Sequence, residues 1–160
     1  MPDAMEELMQ RLVACRACPR LVEHREHSGE VKVKRYLNWD YWAKPVPGFG
    51  SSDAEVCIIG LAPAAHGANR TGRMFTGDPS ADFLARALHE GGFVNQATSQ
   101  YRGDGLKMIN AYITSAVRCA PPDNQPTVKE QARCRLYLIE ELGLMTNVKA
   151  VLALGKLGFD

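Results

Sequence analysis

A chain of 160 residues, 46% hydrophobic and 23% charged, has the size and balance of one globular domain. Its net charge of +1 gives no global basic signature for nucleic acid. No apolar run approaches the ~20 residues of a membrane-crossing helix, and the opening MPDAMEEL is acidic rather than signal-like. The expectation is a cytoplasmic monomer with residues 1–160 in one domain and no membrane partner. Charge is unevenly placed, since residues 11–44 hold eight Lys/Arg against four Asp/Glu. Such a segment suits a phosphate-facing surface or a merely solvated face.

In chain order, Met5, Leu8, Met9, Leu12 and Val13 recur at helical spacing and predict a helix over 3–14. Pro19 is expected to stop further helix. Residues 28–50, with YLNWDYWAKPVPGFG, read as a long ordered loop, a feature that is often functional. A strand is expected at 55–60. A helix follows over 79–90, with Asp78 as N-cap, Pro79 at its first position and Gly91-Gly92 as its stop. AYITSAV (111–117) reads as a second strand. The Thr127…Glu130 pair has the capping-box pattern and opens a helix over 128–142. VKAVLALG (148–155) is a third, fully apolar strand. Strand–helix–strand–helix–strand implies an α/β protein with a mostly parallel sheet. Because parallel strands are normally covered by a following helix, ending at KLGFD suggests a piece of a longer chain.

The five cysteines, at 15, 18, 57, 119 and 134, are an odd number in a chain without an export signal, which argues against a disulfide framework. Cys57 lies inside EVCIIG and reads as a small core hydrophobe. Cys15-x-x-Cys18 closes a helix instead of following a strand, which disfavours a thioredoxin-like redox pair. With Cys119 and Cys134 it suggests a four-thiolate site clamping the N-terminal segment to the core. Spacing alone does not choose between zinc and a 4Fe–4S cluster, and four incidental buried thiols are the plain alternative.

The stretch GLAPAAHGANRTGRMFTGD (60–78), with VPGFG before it and VRCAPPDNQPT…C after it, resembles the iron–sulfur uracil-DNA glycosylases, specifically the type 5 branch. The resemblance runs from Cys15 to the end of the chain. It implies a three-layer α/β/α fold around a central, mostly parallel sheet, with cluster ligands at Cys15, Cys18, Cys119 and Cys134. It further implies that a damaged base is flipped out of DNA before its N-glycosidic bond is cut. The small residues Gly60, Ala62, Ala64 and Ala65 would then leave space for that base. Phe75 resembles the family's stacking platform. Asn69, Arg70 and Arg73 become candidate contacts to the base, sugar and phosphates.

Many relatives place an acidic residue just after the strand's glycine; here Leu61 stands there, as in the type 5 branch. The nearest carboxylate is Asp78, which has two compatible jobs: capping the following helix, and stabilising an oxocarbenium-like sugar. His66 is a candidate hydrogen-bond partner for substrate or phosphate. Ser115 stands where some relatives carry an asparagine that reads the base, so its shorter side chain predicts a broader base range. The family's late His-Pro-Ser loop has no counterpart, since the histidines are at 24, 27, 66 and 89. Residues 1–160 alone are therefore expected to show weak or no activity. The alternatives are a non-catalytic metal-cluster module that binds nucleic acid, or a zinc-stabilised α/β protein with a small ligand in the glycine-rich loop.

Overall fold

The computed structural model describes residues 3–155; the KLGFD segment, on which the expectation of a longer chain rests, falls outside them after its first boundary at Gly155. Five helices and four strands follow in the order α1 (Ala4–Val13), α2 (Pro19–Val31), β1 (Phe49–Gly50), β2 (Val56–Gly60), α3 (Ala68–Thr71), α4 (Pro79–Glu90), β3 (Ala111–Ser115), α5 (Val128–Leu144) and β4 (Ala150–Ala153). The sheet order is β1-β3-β2-β4, with β2 parallel to both β3 and β4 and only the short β1 antiparallel at the edge.

Alternation along the central strands divides the core. Ile58 pairs with Ile113 and, with Val46, Ala68 and Met74, meets Leu84 and Leu88 of α4. Cys57 pairs with Tyr112 and turns to the other face, where Ile59 and Met145 meet Leu138 and Leu142 of α5 and Met5 of α1. The sheet thus lies between α4 on one side and α5 with α1 on the other, the expected α/β/α arrangement. Cys57 is fully buried, as a core hydrophobe should be.

Local chemistry sets the helix boundaries. Asp78 accepts from Ala81 N at 2.8 Å ahead of Pro79, and Thr127 and Glu130 form the reciprocal capping box. Two readings need correction. Pro19 does not end helical structure: it is the first residue of α2, where its missing N–H costs nothing. Residues 28–50 are accordingly not all loop, since α2 runs to Val31 and Lys34–Tyr36 form a 3₁₀ turn. β4 is apolar yet exposed, with Val151 and Leu152 about half accessible, because it is the edge strand among the described residues.

Candidate active site and cysteine cavity

The connection after β2 leads to α4 on one face, and that after β3 leads to α5 on the other, so these adjacent parallel strands diverge at their carboxyl ends. A crevice at such a switch point is where open α/β sheets place their ligands. Gly60 and Ser115 are register partners there. Pairing persists one step further, Ala116 N donating to Gly60 O and Val117 N to Leu61 O, both at 2.9 Å. Ala62 then packs toward Leu21, Val117 and Cys119.

Phe75 lies over Gly60: a Cβ at residue 60 would come within 2.6 Å of the Phe75 ring. The glycine therefore makes room first for the platform. Phe75 itself has φ of 46°, an unfavourable backbone for an aromatic residue. The loop holds it there through Ser99 Oγ, which donates to Phe75 O at 2.9 Å, and Thr71 Oγ1, which donates to Thr76 O at 3.2 Å.

Asp78 uses only one carboxylate oxygen for its cap. Its Oδ2 lies against Gly67, where any Cβ would collide with it, and takes no hydrogen bond from the described residues. The small residue at 67 thus admits a carboxylate beside the turn that carries His66. The His66 ring meets Tyr41 edge-on, with Nδ1 2.8 Å from the tyrosine hydroxyl. Burial, and then the nearby Arg70 and His24 charges, push the imidazole below its usual range, so it is neutral near neutral pH.

Arg70, Arg73 and Asn69 do not reach outward as the sequence suggested; all three are buried. Arg70 lies against the rings of Tyr36 and Trp39, 3.7 and 4.1 Å from their centres, the two rings themselves meeting edge-on. Its Nε donates to His66 O at 2.6 Å and its Nη2 to Gly77 O at 2.8 Å. It therefore clamps together the peptides beside His66 and Asp78, and the aromatic segment before β1 holds the clamp. Arg73 pairs with Asp104 at 2.9 Å and donates to Thr76 and Ser99. Asn69 Nδ2 donates to Arg25 O and Ala65 O, both at 3.2 Å. Ser115 is also buried, and its hydroxyl donates to Val117 O at 2.5 Å. These residues build the site from behind because a turn this crowded needs its carbonyls satisfied internally.

Two cations without an ion pair near this edge were missed in the sequence. A cavity of about 400 Å³ between Pro47–Phe49 and the 102–107 segment includes Arg102 and Lys107, which form no ion pair among the described residues. Arg102 and Lys44 flank Trp42, at 4.5 and 5.2 Å from its ring. The antiparallel register of β1 puts Pro47 and Gly48 toward the Ser115 end of β3, the same edge as Gly60. The Arg73–Asp104 pair and the Asn95 contacts to Gly105 and Lys107 pin the α4–β3 connection that carries these cations; their spacing in sequence carries no such signal.

The four predicted cysteine ligands come together. Cys15, Cys18, Cys119 and Cys134 all line one cavity of about 440 Å³ between the α1–α2 junction and the middle of α5. Among the described residues no group of three or more His, Cys, Asp or Glu side chains is arranged to hold a metal ion. Burial pushes the Cys119 thiol up and Cys134 to about 12. Arg25 Nη1 donates to Cys119 Sγ at 3.1 Å. Arg25 Nε and Arg118 Nη1 are buried in the cavity wall without a partner. Four thiols with unsatisfied cationic donors around them suit an anionic sulfur-rich group.

Behind the cavity, Arg118 and Glu141 are completely buried and paired. Tyr112 and Thr114 donate to the same carboxylate at 2.6 and 2.7 Å, and Arg118 Nε donates to Ser115 O at 2.8 Å. The network joins β3, α5 and the wall of the cysteine cavity.

A family model described as the uracil DNA glycosylase superfamily matches residues 47–160. A type-5 uracil-DNA glycosylase of Mycobacterium leprae is 50% identical over 153 residues, covering 95% of this chain and 67% of the relative. One from Thermus thermophilus is 48% identical over 156 residues, covering 97% and 70%. A type-4 uracil-DNA glycosylase of Thermotoga maritima is 28% identical over 154 residues, covering 96% of this chain and 62% of the relative.

Proposed function

Because this chain belongs to the uracil-DNA glycosylase superfamily, in its type-5 branch, we propose that it hydrolyses the N-glycosidic bond of uracil in DNA as the first step of base-excision repair. The observation that carries the reading is the switch-point site: Phe75 over Gly60, opposite Ser115, with Asp78 and His66 on the turn that follows β2. A non-catalytic binding role is not favoured, because relatives at half identity across nearly the whole chain are glycosylases.

In this reading the flipped base stacks on Phe75 at the strand ends. Departure of the base leaves positive charge on the sugar, and the unused Oδ2 of Asp78 stabilises that charge. Its other oxygen is held by Ala81 N, so the carboxylate is already oriented before the charge develops. With the Tyr41 hydroxyl donating to Nδ1, neutral His66 keeps a proton on Nε2 and donates it in a hydrogen bond to substrate or phosphate. Lys44, Arg102 and Lys107 take over the contacts to the DNA backbone that buried Arg70 and Arg73 do not make. The Ser115 hydroxyl is already committed to Val117 O, so no side-chain amide selects the base here. The base range accordingly extends to other deaminated bases.

The cysteine cavity suits a 4Fe–4S cluster, since four thiols line one space whose wall includes two buried arginines with unpartnered donors. Cys15, Cys18, Cys119 and Cys134 would hold it, and it would supply a cross-link between the N-terminal helices and the core together with a redox-capable centre. No helix among the described residues is long and apolar enough to cross a membrane.

The test is excision from oligonucleotides carrying one uracil, hypoxanthine or xanthine, with the abasic product cleaved by alkali, using the full-length gene product. Release of uracil together with at least one other base is expected. No release of any base would overturn the enzyme reading, and release of uracil alone would overturn the broader range.

A further inference from the structure

Two arginines with no role in the steps above border the cysteine cavity, and both are almost wholly buried, Arg25 at 2% and Arg118 at 0% exposure. Their charges are balanced differently. Arg118 has Glu141 against it. Arg25 has only Glu26, 4.0 Å away, and that carboxylate is half in solvent and bonded to Arg16 at 2.6 Å. A buried guanidinium without a close internal counter-charge is costly unless an anion occupies its surroundings. The contacts Arg25 does make point to where that anion is: Nη1 lies 3.1 Å from Cys119 Sγ and 3.2 Å from Cys15 O. In addition, Arg25 Nε and Arg118 Nη1 are buried donors without acceptors among the described residues. Arg70 Nη1 and Asn69 Oδ1 are likewise unpartnered away from the cavity, so the two orphan donors here count only together with the Cys119 contact and the poorly balanced charge of Arg25.

We propose that Arg25 and Arg118 donate hydrogen bonds to the sulfur atoms of an iron–sulfur cluster in this cavity and raise its reduction potential, with Arg25 the stronger of the two because its charge is otherwise unbalanced. This rests on the cluster reading above. A cluster on four thiolates is anionic before reduction and gains one further negative charge when an electron is added; no bond forms and no proton moves. Positive N–H donors at the sulfurs therefore stabilise the reduced form more than the oxidised form. The sign is the same for whichever one-electron couple the cluster uses. Arg25 also fixes the site above it, since its carbonyl accepts from Asn69, the residue whose amide holds the Ala65 peptide next to His66.

The experiment uses the full-length gene product, Arg25→Met and Arg25→Lys. Iron and acid-labile sulfide are counted per chain, and the potential is measured by direct electrochemistry without DNA. The wild type is expected to hold four irons. Arg25→Met is expected to keep them while its reduced-to-oxidised ratio at a fixed potential falls at least tenfold, about 59 mV for a one-electron couple. Arg25→Lys, which keeps charge and loses the planar fork, should fall between the two. A fully loaded Arg25→Met with the wild-type potential overturns the proposal. If Arg25→Met does not hold iron, Arg25→Lys decides: a lowered potential supports the proposal and an unchanged one overturns it. Wild-type protein without iron, or with a single zinc, overturns the cluster reading itself before any variant is compared, and this proposal falls with it.

Discussion

In the proposed reaction Asp78 does two jobs with two oxygens, and substitution can separate them. Oδ1 caps α4 by accepting from Ala81 N at 2.8 Å, while Oδ2 lies uncommitted beside Gly67. Serine is as good an N-cap as aspartate but carries no charge, whereas alanine removes both functions. Asp78→Ala should therefore lose about 1 kcal/mol of stability, or about 2–4 °C in melting temperature for a domain of this size. Asp78→Ser should lose only a few tenths of a kcal/mol. Both should lose the preorganised negative charge opposite the developing cation, an effect of roughly 10²–10³ in rate, or about 3–4 kcal/mol. Thermal melts and single-turnover uracil excision by the full-length protein measure the two quantities on the same samples. Asp78→Ser that is stable and as fast as wild type would reduce Asp78 to a cap and refute its catalytic assignment.

The Arg73–Asp104 pair that holds the 102–107 segment carries a pH signature. Burial pushes the Asp104 carboxyl up, but Arg73 and the amides of Gln100 and Leu106 outweigh it and hold it at about 2, below its ordinary 3.8. A lowered folded-state value means stabilisation that is complete above the ordinary value and lost as pH falls toward the folded one, roughly 2 kcal/mol in all. Asp104→Asn should be less stable by about that amount at neutral pH in urea titrations, with the gap closing between about pH 4 and 2; a pH-independent gap would contradict the assignment. For DNA, the slope of log affinity against log salt should shrink by about 0.9 for each of Arg102→Ala and Lys107→Ala. Both variants leaving the slope unchanged would remove that cavity from the DNA path.

Much of the fold was legible along the chain because the signals are local. Asp78-Pro79 and Thr127…Glu130 are chemical starts that act within one helical turn, and the observed helices begin where they say. The apolar runs at 56–60, 111–115 and 150–153 are strands for the same reason. What misled was Pro19, whose meaning depends on whether the chain before it is already helical; after the break at Cys15–Cys18 it opens a helix. The antiparallel β1, two residues long, has no period to detect.

The site divides in the same way. By itself the sequence determined which residues are present and which are small: a four-cysteine set, an aromatic residue after the glycine-rich turn, a late aspartate that caps a helix, and glycines where others cannot stand. Only the tertiary structure decided which of these face a ligand and which support it. Arg70 and Arg73 look alike as cations in a polar loop, yet one lies against the rings of Tyr36 and Trp39 and the other is bound to Asp104. Arg102 and Lys107, with no motif around them, are left on the cavity beside Pro47–Phe49. The physical reason is that capping, turn formation and strand pairing are settled by neighbours in sequence. The fate of a charged side chain depends instead on which carbonyls, rings and carboxylates the fold brings to it from tens of residues away.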